Sequence, residues 1–301
     1  RQSKYIQKMV ETYLDGGAAS ANSNNHLPYT KDLDSLVTDA MSQSVDDIEP
    51  TLLRSFQSIV GALLYCACNT RPDIAYPVGM LSRAMARPTP ELLEAAQRVL
   101  RYLYRTRDLG LRYERSDTPL HGYTDSDWGV KHSTSGYLFV LNQAAIHWGS
   151  KKQKSVALSS CEAEIMAASE ACKDAVHLSK LATELGMGSD EPLSLSMDNK
   201  SGIDVAYNPE HHGRMKHVAR RHFFVRELVE DHIIRVPYVN TIKNLADFFT
   251  KYQPPARFFQ LRDMIMNVRP SDTPCAPGSG PRGGVEPSAP PERLLRTWLY
   301  L

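Results

Sequence analysis

The sequence predicts an α/β protein preceded by a mainly helical segment. Up to Asp117 the apolar residues recur at helical spacing. Beyond it the runs shorten and alternate, then interleave with helices in the order β-β-β-α-β-α-β-α. The length, 301 residues, exceeds one typical domain and supplies an ample core. These observations divide the chain into a helical segment 1–117, an α/β domain 118–266 and a Pro/Gly-rich tail 267–301.

In "RQSKYIQKMVETYL", Tyr5, Ile6, Met9, Val10 and Tyr13 recur at helical spacing, and Asp15, Gly16 and Gly17 end the run. Residues 16–50 show no sustained period and read as a surface loop. A second helix spans 51–68, with Phe56, Ile59, Val60, Leu63 and Ala67 on one side, and "NTRPDIAY" interrupts it. In a third, Thr89 is the N-cap, Pro90 opens the first turn, and Leu92, Ala96, Val99, Leu100 and Leu103 form the buried stripe. Its other side carries Arg98, Arg101 and Arg105, readable as a solvated face or as a phosphate-contacting row. Segments 120–128, 136–141 and 144–150 read as an antiparallel meander. A long helix over 160–185 ends before Gly186 as C-cap. Then come a strand at 193–198, a short helix from Ser201, a basic helix over 217–230, a strand at 233–239, and helices over 244–251 and 255–266. The tail is expected to be disordered.

Composition narrows the class. At 42% hydrophobic and 23% charged residues, with no apolar run read as long enough to span a membrane, a soluble protein with no membrane partner is expected. The chain opens on Arg1 without a leader, which reads as a piece of a longer precursor. Five cysteines, an odd number lying mostly in apolar stretches, suggest reduced intracellular thiols, and no zinc-finger spacing occurs. A net charge of +1 confines any nucleic-acid surface to local basic stripes.

Four acids fall where this topology can gather them: Asp125, Glu164, Asp198 and Asp247. Asp125 shares a strand face with Tyr123 and Asp127, and like charges on one strand face need a reason such as a cation. Asp127 itself is assigned to the turn before Gly129. Asp198 ends an apolar strand, a place where α/β proteins present functional groups, but it equally suits a helix cap. Asp247, behind a cap at Asn244, suits the helix dipole without any further role. In "ALSSCEAEIMAASEA", the positions around Glu164 (Cys161, Ala168, Ala171, Ala175) are small and mostly apolar, so Glu164 is expected to point inward. Glu162 forms a capping box with Ser159 on a largely solvent-facing side, and Glu170 lies outside. Inward acids converging on one point repel until a divalent cation neutralises them.

The stretches "GYTDSDWG…STSGYLFVLNQAAIHWGSKKQKSVALSSCEAEIMAASEA", "SMDNKSGIDVAYNPEHHGRMKH" and "YVNTIKNLADFFTK" resemble the ribonuclease H domain of copia-type LTR retrotransposon polyproteins. The preceding "QSKYI…FQSIVGALLYCACNTRPDIAYPVGMLSRAM…AAQRVLRYLYRTRDLGL" is similar to the thumb- or connection-like region after the reverse-transcriptase palm of those polyproteins. Together these motifs cover 1–266. The resemblance implies an RNase H-like fold with a five-stranded mixed sheet in the order 3-2-1-4-5 and flanking helices, with Pro237 on an edge strand. It implies that Asp125, Glu164, Asp198 and Asp247 hold two Mg²⁺ (or Mn²⁺) ions and that the RNA strand of an RNA·DNA hybrid is hydrolysed. Lys151, Lys152, Lys154, Arg214, Lys216, His217, Arg220 and Arg221 are the candidates for backbone contact, because hybrid recognition rests on shape, phosphates and 2′-hydroxyls. The implied partners are the hybrid and the palm of the same polyprotein. The implied location is a cytoplasmic retrotransposon particle, or the nucleus.

"SVDDIE" at 44–49 mimics the paired aspartates of a palm but follows "QSKYI" and lacks the aromatic, so no polymerase activity is expected. Departures from the family pattern are Ala219 in "KHVARRHFF" for the acid after "KHI", Ile165 for an aromatic, and "TKYQ" for "TKP". They keep open a rival reading, a catalytically decayed or co-opted nucleic-acid-binding module. A DDE integrase is disfavoured because its glutamate comes last in the acidic order.

Overall fold

The computed structural model describes residues 1–21, 26–42, 48–129, 133–207 and 219–269. Asp46 and Asp47 of "SVDDIE" and the tail from 270 lie outside the described residues. The first three residues of the expected tail are ordered against the body. Asn267 takes φ +52° and its Nδ2 donates to the Arg112 carbonyl at 3.0 Å, while Val268 N donates to the Asp263 carbonyl.

The leading helices are α1 (Ser3–Tyr13), α2 (Gly17–Ser20), α3 (Leu33–Ser42), α4 (Pro50–Asn69), α5 (Ala75–Arg83) and α6 (Pro90–Arg105). On α6, Thr89 Oγ1 accepts from Leu92 N and the expected stripe is buried. Two of these elements run against expectation. The loop read over 16–50 contains α2 and α3, the latter burying Leu33, Val37 and Ala40 at i, i+4, i+7. The interruption "NTRPDIAY" is a 3₁₀ turn (Pro72–Ile74) that leads straight into α5. Proline opens that turn where its missing N–H costs nothing. Contrary to the sequence estimate, α4 is by length and composition long and apolar enough to cross a membrane. Its Phe56, Ile59, Val60, Leu63 and Cys66 are instead at most 1% exposed within the protein core.

Arg71 anchors the helical segment. It is 1% exposed and forks onto Asp73 (Nε to Oδ1 2.8 Å, Nη2 to Oδ2 2.7 Å), and it also donates to the carbonyl and hydroxyl of Thr106. The Tyr102 hydroxyl donates to Asp73 Oδ2 at 2.7 Å, so both oxygens of the buried carboxylate are hydrogen-bonded.

The sheet contains β1 (His121–Asp127), β2 (Thr134–Leu141), β3 (Ala144–Lys152), β4 (Leu193–Ser196) and β5 (Ile234–Arg235) in the order β3-β2-β1-β4-β5. β1 to β3 form the antiparallel meander, and β4 and β5 join parallel. Asn142 and Gln143, at φ +52° and +69°, make the tight hairpin between β2 and β3. The expected strand over 233–239 is shorter because Pro237 donates no hydrogen bond. Pairing resumes at one bridge, where Met197 N donates to the Pro237 carbonyl and Val239 N to the Met197 carbonyl. This is the mixed sheet that the resemblance implies.

On one face, α7 (Ser160–Glu184) sets Ala168, Ala171, Cys172 and Ala175 against Tyr137, Phe139, Leu195 and Met197. Gly186, at φ +70°, ends α7. Next to it lie α8 (Lys200–Tyr207) and α9 (Ala219–Glu230). On the other face, Leu138, Val140 and Ala145 join one apolar cluster with the leading helices, with the 3₁₀ turn Leu245–Phe249, and with α10 (Pro255–Met266). The Trp148 indole N–H donates to the Ala67 carbonyl at 2.8 Å across this junction.

Candidate metal centre

Three sequence-predicted carboxylates converge. Asp125, in the central strand, is 3% exposed and its Oδ2 accepts from Thr250 Oγ1 at 2.5 Å. Glu164 lies in the second turn of α7, 5% exposed, and its Oε1 accepts from Ser126 N at 3.2 Å. Its Oε2 is buried with no hydrogen-bond partner among the described residues. Asp198, half-buried, follows the end of β4. The helix cap that competed for Asp198 in the sequence is taken by Asn199, whose Oδ1 accepts from Gly202 N at 3.0 Å. One oxygen from each of Asp125, Glu164 and Asp198 lies within 4.8 Å of the others.

Asp247 is held differently. Its helix is a 3₁₀ turn, and Asn244 caps it as expected by accepting from Ala246 N, while Asn244 Nδ2 donates to the Thr124 carbonyl at 3.1 Å. That bond stitches the turn to the central strand. Gln253 Nε2 donates to the Asp247 carbonyl at 3.0 Å, and the Thr250 hydroxyl, whose proton is given to Asp125, lies 3.2 Å from the same carbonyl. The Asp247 carboxylate itself lies 2.6 Å from Lys251 Nζ, outside the cluster of three.

Two sequence readings near the site are corrected. Asp127 is the last residue of β1, paired with Thr134, and not part of the following turn. Glu162 does cap α7 with Ser159, and its Oε2 also accepts from Leu158 N, but it is 2% exposed and not solvent-facing. Met166 and Ser169 beside it are buried as well, because α7's first half is enclosed on all sides. Glu170 is at the surface, paired with Lys173.

Gly136, opposite Asp125 in β2, lets the Asp247 turn lie flat on the sheet. A Cβ there would stand 2.5 Å from Thr250 Cγ2, 2.9 Å from the Ala246 carbonyl oxygen and 3.0 Å from Phe249 Cβ. Two of these three atoms belong to backbone or Cβ and cannot swing away. Gly136→Ala is therefore expected to destabilise the fold by about 1–3 kcal/mol and to weaken divalent-metal affinity. Thermal melts and metal titration calorimetry check the two effects.

Burial first, and then Asp247, push Asp125 up to about 7. Burial, Asp125 and Asp198, in that order, hold Glu164 well above the usual carboxylate range. Burial opposes charge on Lys251, yet its bond to Asp247 keeps its ammonium above the ordinary value. Acids raised in the fold keep protons that the unfolded chain has already lost, so stability falls as pH rises from about 4 to about 7. Melting temperature in EDTA is therefore expected to be higher near pH 5.5 than near pH 8, and a divalent cation should close the gap. Equal melting at both pH values without metal would contradict this electrostatic picture.

The donor set suits a hard cation: all oxygens, two of the three carboxylates buried, one oxygen without a partner among the described residues, and two acids raised by burial and then by their acidic neighbours. Of the basic candidates, Lys152, the last residue of β3, and Lys154 just beyond it are exposed. Lys151 Nζ instead donates to the Tyr137 hydroxyl at 2.8 Å. Arg221 is half-buried on α9, and Arg220 shares that helix. Arg214, Lys216 and His217 lie outside the described residues. On α6, Arg98 is occupied by the Leu27 carbonyl at 3.3 Å. Sequence reading missed Gly136, Thr250 and Lys251, whose only signals are their closeness to Asp125 or Asp247 in register or in sequence.

No protein-family model matches the chain. It is 35% identical over 270 residues to the retrovirus-related Pol polyprotein from transposon TNT 1-94 of Nicotiana tabacum, covering 88% of this chain and 20% of that protein. It is 41% identical over 201 residues to the corresponding polyprotein from transposon RE1 of Arabidopsis thaliana, covering 65% of this chain and 14% of that protein. The chain thus spans a fifth or less of these relatives' length. A shorter relative, the secreted RxLR effector protein 161 of Plasmopara viticola, is 49% identical over 128 residues, 41% of this chain and 90% of that protein. Among solved structures, LC11-RNase H1 in complex with RNA/DNA hybrid matches with a TM-score of 0.34 and 13% identity, over 44% of this chain and 93% of that one. Across 88% of its length the chain aligns with the Nicotiana tabacum polyprotein, and its homologues are copia-type, retrovirus-related Pol polyproteins of transposons.

Proposed function

We propose that the chain is an RNase H-type endoribonuclease that hydrolyses the RNA strand of RNA·DNA hybrids. The observation that carries this reading is the convergence of Asp125, Glu164 and Asp198 within 4.8 Å, with Glu164 Oε2 buried and unpartnered. Relatives named as Pol polyproteins and a structural neighbour solved with RNA/DNA hybrid support the substrate class.

Asp125, Glu164 and Asp198 would hold Mg²⁺ or Mn²⁺, and Asp247 would complete a two-ion site on release from Lys251. When bound, such ions supply an activated water and neutralise the leaving oxygen. The protein fixes the oxygens in advance: Thr250 orients Asp125, the Ser126 amide orients Glu164, and Asn244 ties the Asp247 turn to β1. Pre-fixed ligands need no rearrangement as charge develops. Freed from Asp247, Lys251 stands beside the site as a cation for a phosphate oxygen.

A labelled RNA·DNA hybrid incubated with protein and Mg²⁺ should lose only its RNA strand. Asp198→Asn should slow cleavage by about a thousandfold, the equivalent of several kcal/mol of lost charge stabilisation. An uncut hybrid under conditions where calorimetry shows Mg²⁺ bound would refute the nuclease reading and favour a binding module.

A further inference from the structure

Arg83, the last residue of α5, comes from the helical segment and reaches the end of the sheet where the acids gather. Its Nη2 donates to Thr134 Oγ1 at 3.0 Å. Thr134 pairs with Asp127, two residues beyond Asp125 on the same strand face. The side chain is half-buried and its Nε has no acceptor among the described residues. Asp34 of α3 and Asp127 of β1 are the neighbouring acids, and Tyr76 the neighbouring phenol. No described carboxylate comes within ion-pair distance of Arg83, in contrast with Arg71, which forks onto Asp73 at 2.7 and 2.8 Å. Burial accordingly holds the Arg83 guanidinium below its ordinary pKa, although the two acids and Tyr76 act against it.

A half-buried guanidinium with one donor engaged and no described carboxylate at ion-pair distance is unfavourable in isolation and is completed by an oxyanion that meets its exposed side, Nε itself being closed to solvent. Arginine's planar fork fits the two free oxygens of a phosphodiester. The anion expected at this end of the sheet is the nucleic-acid backbone, whose scissile bond must lie over Asp125. Acids crowd the surrounding surface, so a cation beside them is also what allows a polyanion to approach.

We infer that Arg83 grips a backbone phosphate of the bound hybrid, so that the helical segment supplies part of the substrate site. This rests on the nuclease reading for the identity of the hybrid, but not on the occurrence of cleavage. Arg83 is a positioning residue that holds the duplex while the carboxylates act.

The test uses the full chain in an Asp198→Asn background, so that hybrid survives, with fluorescence anisotropy across a salt series. Arg83→Ala should raise Kd about tenfold and reduce the slope of log K against log salt by about one, while Arg83→Lys should restore the slope and part of the affinity. Thr134→Val, which removes only the internal hydrogen bond, should leave the slope unchanged. Arg83→Ala with a lowered melting temperature but an unchanged slope would overturn the inference and leave Arg83 a structural residue. If the parent cleaves hybrid yet Arg83→Ala binds it with parental affinity and slope, this inference alone fails. If the parent binds no hybrid at all, the nuclease reading fails with it.

Discussion

Asp125→Asn is expected to abolish hybrid cleavage, by about a thousandfold or more, while making the metal-free protein more stable near pH 8. The two effects share one cause. The Asp125 carboxylate is 3% exposed, and burial and Asp247 push it up to about 7. Near pH 8 it is therefore charged at a cost, which the metal-free fold bears alone. Asparagine keeps the shape and an oxygen for Thr250, removes the charge, and so removes the repulsion. The same change deletes the central charged oxygen of the cluster. Differential scanning calorimetry in EDTA and with Mg²⁺, beside cleavage rates, separates the effects. A variant that melts lower than the parent in EDTA would show that Asp125 serves packing rather than metal. Near pH 5 the parent is itself largely protonated, so the gain should shrink there.

Arg71→Ala is expected to be the most destabilising single change in the helical segment, by about 3–5 kcal/mol. It leaves the Asp73 carboxylate buried with, among the described residues, only the Tyr102 hydroxyl as a side-chain donor, and it removes the Arg71 bonds to the Thr106 carbonyl and hydroxyl as well. A drop in melting temperature of about ten degrees follows for a chain of this size. The double change Arg71→Met with Asp73→Leu should recover much of that loss, since a buried ion pair is replaceable by apolar atoms more easily than it is halved. Chemical denaturation of the three proteins checks the ordering. Equal losses in the single and double variants would mean that the pair's geometry, rather than its charge balance, holds the helices together.

Legibility in the sequence followed how local the determining physics is. Helix α6 was readable because cap, proline and stripe all sit within its own residues. α3 and α5 were not, because α3 lies in a stretch rich in Ser and Asp, and α5 starts immediately after a proline turn that reads as an interruption. Glu164 was readable from its small neighbours at helical spacing. The burial of Glu162 was not, since it depends on what encloses α7 from outside. Whether Asp198 caps α8 turned on the choice between adjacent residues, and only the hydrogen bond from Gly202 to Asn199 decides it. Asp247's pairing with Lys251 is an i, i+4 contact that spacing permits. Its competition with the cluster is visible only once the turn is laid against Gly136.

Leu138, Val140 and Ala145 on the sheet share one apolar cluster with α1, α4, α5 and α6, and Trp148 is hydrogen-bonded to the end of α4. The sheet's second face is therefore upholstered by residues that precede it in the chain. A change in sequence grammar at Asp117 does not mark a place where cohesion ends. Any recombination that carried the sheet and its acids into a new chain without the earlier helices would carry an oily, unsheathed surface with them. Heredity of the acids and heredity of the helices are, for such a molecule, one inheritance.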